Sequence, residues 1–252
     1  MSDASVVRPP AVDVLDGRPS DRYRLRLQEA EPFTDDDRSA WATYLRDTFI
    51  LLVEFGGLCG VDGVPGGGGF VGDVDFREVP GALDVDLGPV LVDVGAVTVL
   101  RNLCEWGAVD LPGIRRAEIR VPFDPQVVRT RGRRYPGRSR ALGFAVDDAG
   151  AGQSGTSLDA TITFCAPPTG TAVARYLDPW LDTLANGGFA HAALPTIEQV
   201  VLLGDPAVTM HDAHLFVRIE DFAADFAAVD ALCNCVGRMH RDGHAVASVT
   251  IE

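Results

Sequence analysis

The chain has 252 residues, 46% hydrophobic and 23% charged, with a formal net charge of −14. That length admits one large domain or two small ones with a substantial core, and the composition excludes a disordered chain. The acidity argues against general binding to nucleic acid or to an anionic membrane, because both would repel it.

Residues 1–21, rich in Pro, Asp and Arg, read as an N-terminal arm. Arg22 to Gln28 alternates polar and apolar side chains, which predicts a half-buried strand. Thr34 is placed to cap a helix whose first turn is acidic. Trp41, Leu45, Thr48, Phe49 and Leu52 follow at helical spacing, and Gly56-Gly57 suits a stop. A strand-like "LCGV" leads into "GVPGGGGFVGD", Gly63 to Asp73. A strand over "LDVDLGPVLV", a helix near Asp93 to Trp106 and a strand over "RRAEIRVPF" complete the first half.

The second half repeats this order. "LDATITF" reads as a strand, followed by a helix through Tyr176, Trp180 and Leu184 that ends at Gly187-Gly188. Asp178-Pro179 offers an alternative start for that helix, with Asp178 as cap. "EQVVLL" and "AHLFVRIEDF" read as strands, Ala224 to Arg241 as a helix and "AVASVTIE" as the last strand. A shift of 131 residues places Gly56-Gly57 on Gly187-Gly188, Phe49 on Trp180, Asp47 on Asp178 and Cys104 on Cys235. This spacing predicts an internal duplication.

The expected fold is therefore α+β: two tandem ferredoxin-like (β-α-β-β-α-β) repeats with pseudo-twofold symmetry and antiparallel sheets. Its parts are the arm 1–21, a first repeat 22–128, an Arg-rich linker 129–156 and a second repeat 157–252. Each sheet's second face needs a cover, which predicts that the sheets pack on each other within the chain or across a homodimer.

The glycine run lacks the context of a phosphate loop. No Lys occurs in the chain, and Pro80-Gly81 stands where a helix would have to start. Its place between the expected second and third strands predicts a hairpin connection, one flexible enough to serve as a lid. The arginines between Ile114 and Arg140 form a local basic excess. Arg131 and Arg134 could grip a carboxylate or phosphate, although a linker resting on the protein's own acidic surface is the plainer reading.

All five histidines fall in the second half: His191, His211, His214, His240 and His244. Their spacings fix no chelating geometry, so no metal is expected. Cys233 and Cys235, two apart on a helix, point away from each other. Five scattered cysteines, no basic-then-apolar leader and no apolar run long enough for a bilayer predict a reduced, cytoplasmic protein without membrane contact.

Two functional readings follow. The first is a small-molecule enzyme or binding protein running acid–base chemistry, of isomerase, cyclase or lyase type, with no nucleotide or other cofactor. Its candidate catalytic groups are His214, His191 and Glu105, whose apolar neighbours favour holding a proton, and its candidate substrate-binding groups are Arg218, Arg131 and Arg134. The second is an acidic interaction module, such as an inhibitor or immunity protein for a basic partner.

Overall fold

Alternation of inward apolar and outward polar side chains builds two five-stranded mixed sheets in an α+β architecture. The computed structural model describes residues 10–16, 23–58, 74–87, 94–106, 111–121, 138, 142–148, 157–190, 206–220, 224 and 226–252. The first sheet holds β1 (Ala11–Asp16), β2 (Arg24–Glu29), β3 (Asp75–Val79), β4 (Ala82–Asp86) and β5 (Ile114–Val121), in the order β1-β5-β2-β4-β3. The second holds β6 (Ala145–Asp147), β7 (Ser157–Phe164), β8 (Ala207–His211), β9 (His214–Glu220) and β10 (Val246–Ile251), in the order β6-β10-β7-β9-β8. Strand for strand the second order matches the first. In each sheet four strands pair antiparallel, and one edge strand, β1 on β5 or β6 on β10, pairs parallel.

The helices are α1 (Asp35–Leu45), which passes through a π-helical turn (Arg46–Ile50) into α2 (Leu51–Glu54), then α3 (Val94–Trp106), α4 (Gly170–Ala185) and α5 (Ala227–Arg241). Thr34 starts α1 with a capping box: its hydroxyl accepts the Asp37 N–H at 3.2 Å, and the Asp37 carboxylate accepts the Thr34 N–H at 2.8 Å.

Several expectations change. The sheets are five-stranded and mixed, because β1 lies within residues 1–21 and β6 within residues 129–156. Val12 and Val14 alternate as a strand should, but three-residue β6 is too short to carry a periodic signal. The first hairpin turns at Pro80-Gly81, with Gly81 at φ +74, so the run Gly63–Asp73 lies upstream of β3 and outside the described residues. β3 reads "DFREV", and its charges conceal the strand pattern. The expected strand "EQVVLL" also lies outside the described residues, and the partner of β9 is β8.

Helix α4 starts at Thr169, whose hydroxyl accepts the Ala172 N–H at 3.2 Å, not at Asp178, so Pro179 sits inside the helix. Proline removes one helical hydrogen bond. The buried packing of Pro179 and Trp180 compensates for that loss.

Finally, the sheets do not face each other within the chain. Leu25, Leu27, Val85 and Ile119 of the first sheet, and Ile162, Val217 and Val249 of the second, point inward into one core that spans both halves and contains the helices. The halves meet helix to helix. The Thr183 hydroxyl of α4 donates to the Thr48 carbonyl in the π turn at 2.7 Å, and lies 2.7 Å from the Pro179 carbonyl as well.

The ends of α2 and α4 close this seam in the same way. Gly57 N–H bonds the Leu52 carbonyl and Gly56 N–H the Val53 carbonyl; Gly188 N–H bonds Thr183 and Gly187 N–H bonds Leu184. Gly56 and Gly187 take the positive φ that this helix-ending turn requires, +81 and +72. The second glycine of each pair is then capped by the other half. Asn234 of α5 donates to the Gly57 carbonyl at 3.3 Å, and Asn102 of α3 donates to the Gly188 carbonyl at 3.0 Å.

At this seam Asp182 is raised from its usual pKa of 3.8, first by desolvation and then by the charges of Asp178 and Asp47. A carboxyl raised in the folded state contributes stability below pH 3.8 and loses it as pH climbs through the folded value. Asp182→Asn is therefore expected to raise the melting temperature at pH 7. Solvent screening keeps the gain below about 1 kcal/mol. The gain should shrink as pH is lowered toward 4 or as salt is added; a gain constant across pH and salt would rule out charge repulsion as its source.

Candidate functional site

The outer face of the first sheet is built in cross-strand rows. In one row Glu118 of β5, Arg26 of β2, Asp84 of β4 and Arg77 of β3 stand side by side, alternating in charge. Arg26 grips Asp84 through two bonds of 2.6 Å, and Arg77 is held by Asp75 at 2.6 Å. Gln28 donates to Glu118 at 2.9 Å, and Arg116 bonds Asp13 of β1 at 2.7 Å.

The neighbouring row breaks this alternation. There Arg120 of β5 stands opposite Arg24 of β2, followed by Asp86 of β4 and Asp75 of β3, giving two positive and then two negative side chains. Arg24 reaches Asp86 only at 3.8 Å, beyond hydrogen-bond distance. Arg120 is exposed and has no acidic partner among the described residues. Both rows line a depression of about 200 Å³ whose rim carries four arginines and three carboxylates.

The outer face of the second sheet is different in character. Thr161, Thr163 and Thr250 line its centre, and on β9 His214, Phe216, Arg218 and Glu220 all point outward. Phe216 is 43% exposed, and its ring lies nearly parallel to that of His214, 6.3 Å away. His211 pairs with His214 across the β8–β9 hairpin.

The candidate residues fall in separate places. His214 and Arg218 share the exposed face of β9, where Arg218 lies 3.8 Å from Asp159 and 3.6 Å from Glu220. Glu105 is buried on α3, in the helical layer, and accepts a 2.7 Å bond from Arg101 one turn away. The described residues therefore bring His214 and Arg218 together and leave Glu105 apart. His191, Arg131 and Arg134 lie outside the described residues.

Other groups have structural partners. Arg138 binds Asp148 at 2.7 Å and Asp230 of α5 at 3.0 Å, so this linker arginine rests on the protein's own acids. The His240 ring accepts the Val246 N–H on Nδ1 at 3.0 Å and packs against Phe144, which fixes its remaining proton on Nε2. Burial pushes the Cys104 thiol up to about 12 and the Cys233 thiol up to about 11, which makes both poor nucleophiles. Among the described residues no group of three or more His, Cys, Asp or Glu is placed to hold a metal ion.

The row Arg120, Arg24, Asp86, Asp75 escaped the reading by motif. Its signal was present as outward positions in "RYRLRLQ", "LDVD" and "EIRV", but a single strand does not state which partner stands opposite.

Comparisons with protein-family models, with curated proteins and with solved structures find no match for this chain. No helix among the described residues is long and apolar enough to cross a membrane.

Proposed function

We propose that the protein binds a small molecule on the outer face of its first sheet. The observation that carries this reading is the 200 Å³ depression there, lined by arginines and carboxylates whose positions are fixed by strand register. Acid–base turnover by His214, His191 and Glu105 would need a separate site, on the outer face of the second sheet, in a cytoplasmic protein that acts alone or as a homodimer. His214 with Arg218 on one face supports it, and the separate position of Glu105 does not. Native mass spectrometry of the purified protein tests the binding reading. A retained small molecule, released on denaturation and lost when Arg26 or Asp84 is replaced, is expected; a clean apo mass in the presence of a broad metabolite extract would sink it.

Strands β2 to β5 and β7 to β10 with their helices each follow the split βαβ order, and each carries an added parallel edge strand. The matching strand orders and the reciprocal Asn102 and Asn234 contacts support two ferredoxin-like repeats about a pseudo-twofold axis.

A second reading, an acidic interaction module, is favoured by exposed Phe216 on the open face of the second sheet and by the −14 charge. It predicts a basic protein partner captured at low salt, released at high salt, and lost with Phe216→Ala.

A further inference from the structure

We propose that Arg24 and Arg120 form an anion subsite, and that the ligand of this face carries a carboxylate or a phosphate. The inference rests on the small-molecule reading above and names the chemistry of its ligand.

Arg24 and Arg120 are direct partners on adjacent antiparallel strands. Directly opposed side chains have Cβ atoms about 5 Å apart, and like charges so placed repel. Elsewhere on the face the arginines are matched: Arg26 to Asp84, Arg77 to Asp75, Arg116 to Asp13. Arg24 and Arg120 depart from that rule, with Asp86 at 3.8 Å from the first and no described acid at the second. An arginine pair that shares one distant carboxylate beside a depression meets its complement when an anion lies between the two guanidinium forks, each of which can give two parallel N–H bonds to a carboxylate or phosphate.

The fixed neighbours sharpen the site. Asp84 is engaged by Arg26 in both of its oxygens, so it is committed and does not compete for Arg120 or for the loosely held Arg24. The lining carries four arginines and three carboxylates, Asp75 on Arg77 brings the two rows to balance, and the positive charge is concentrated where Arg24 and Arg120 stand side by side. That pair offers an anion a local positive field within a chain of net charge −14.

The test is nuclear magnetic resonance of the arginine Nε–Hε groups in the full chain, titrated at constant ionic strength with inorganic phosphate and, separately, with acetate. Saturable shifts of Arg24 and Arg120 are expected, with a Kd of the order of millimolar for such small probes. The probe that saturates at the lower concentration identifies phosphate or carboxylate as the natural group. Arg120→Gln should weaken the Arg24 response about tenfold, a loss of one charge-assisted contact. Arg116→Gln, which removes a guanidinium already held by Asp13, should leave affinity within about twofold, since exposed ion pairs contribute little. Linear, unsaturated shifts spread over all exposed arginines would overturn the subsite, as would unchanged affinity in Arg120→Gln. A neutral compound that saturably shifts the Leu25 and Val85 amides while both Nε groups stay still would remove the anion subsite and leave binding at this face intact.

Discussion

Trp180→Ala is expected to destabilise the protein by about 4 kcal/mol, near the upper range for removing a large core aromatic. The side chain is fully buried on α4, and its indole N–H donates to the Ala228 carbonyl of α5 at 2.8 Å. Truncation therefore removes apolar contact, leaves a cavity between two helices and deletes a buried hydrogen bond. Total stabilities of folded domains are about 5–15 kcal/mol, so much of the protein would be unfolded at modest denaturant. Trp180→Phe keeps most of the ring area and should recover more than half of the loss. Urea unfolding checks both through the midpoint, provided the slope is unchanged. A loss under about 1.5 kcal/mol in the alanine variant would place Trp180 outside the core that holds α4 on α5.

Gly188→Ala should cost about 2–3 kcal/mol by overpacking. A Cβ there would stand 2.5 Å from Thr183 Cγ2, 3.0 Å from the Thr183 carbonyl and 3.2 Å from Val99 Cγ1 of α3. Thr183 is not free to yield, because its hydroxyl is tied to the Thr48 and Pro179 carbonyls. The added methyl must break that tie or separate the halves. Thr183→Ser removes the clashing methyl and keeps the hydroxyl, so the pair Gly188→Ala with Thr183→Ser should be closer to wild type than the sum of its singles. Strict additivity would show that contact with Thr183 Cγ2 is not the cause.

Much of the fold was legible because local rules suffice for it. The Thr34 cap, the glycine pairs that end α2 and α4, and the alternation in β2, β7 and β9 each depend on a few adjacent residues. The misreadings share a different cause. Pro179 looked like a helix start because its tolerance inside α4 depends on packing with residues far away in the chain. β1 was hidden because an edge strand in a Pro- and Asp-rich segment is specified by its partner β5. The sheets were expected face to face because nothing in either half states that its helices have a second buried side.

The site was less legible still. Arg24, Arg120 and Asp86 each sit in a readable strand, yet their row exists only once three strands are in register. His214 and Arg218, chosen by residue type, share a face for the simple reason that they are four residues apart in one strand.

Asn102 and Asn234 each complete a backbone turn that belongs to the opposite half. Neither half therefore has a fully satisfied surface of its own: separated, each would expose an amide, a carbonyl and the apolar helix faces around them. The joint is thus a shared condition of folding, and the opening of either half exposes the other. Mechanical or thermal stress at one sheet should be felt in the remote one, so that the molecule yields in one cooperative step despite carrying two separate sheets.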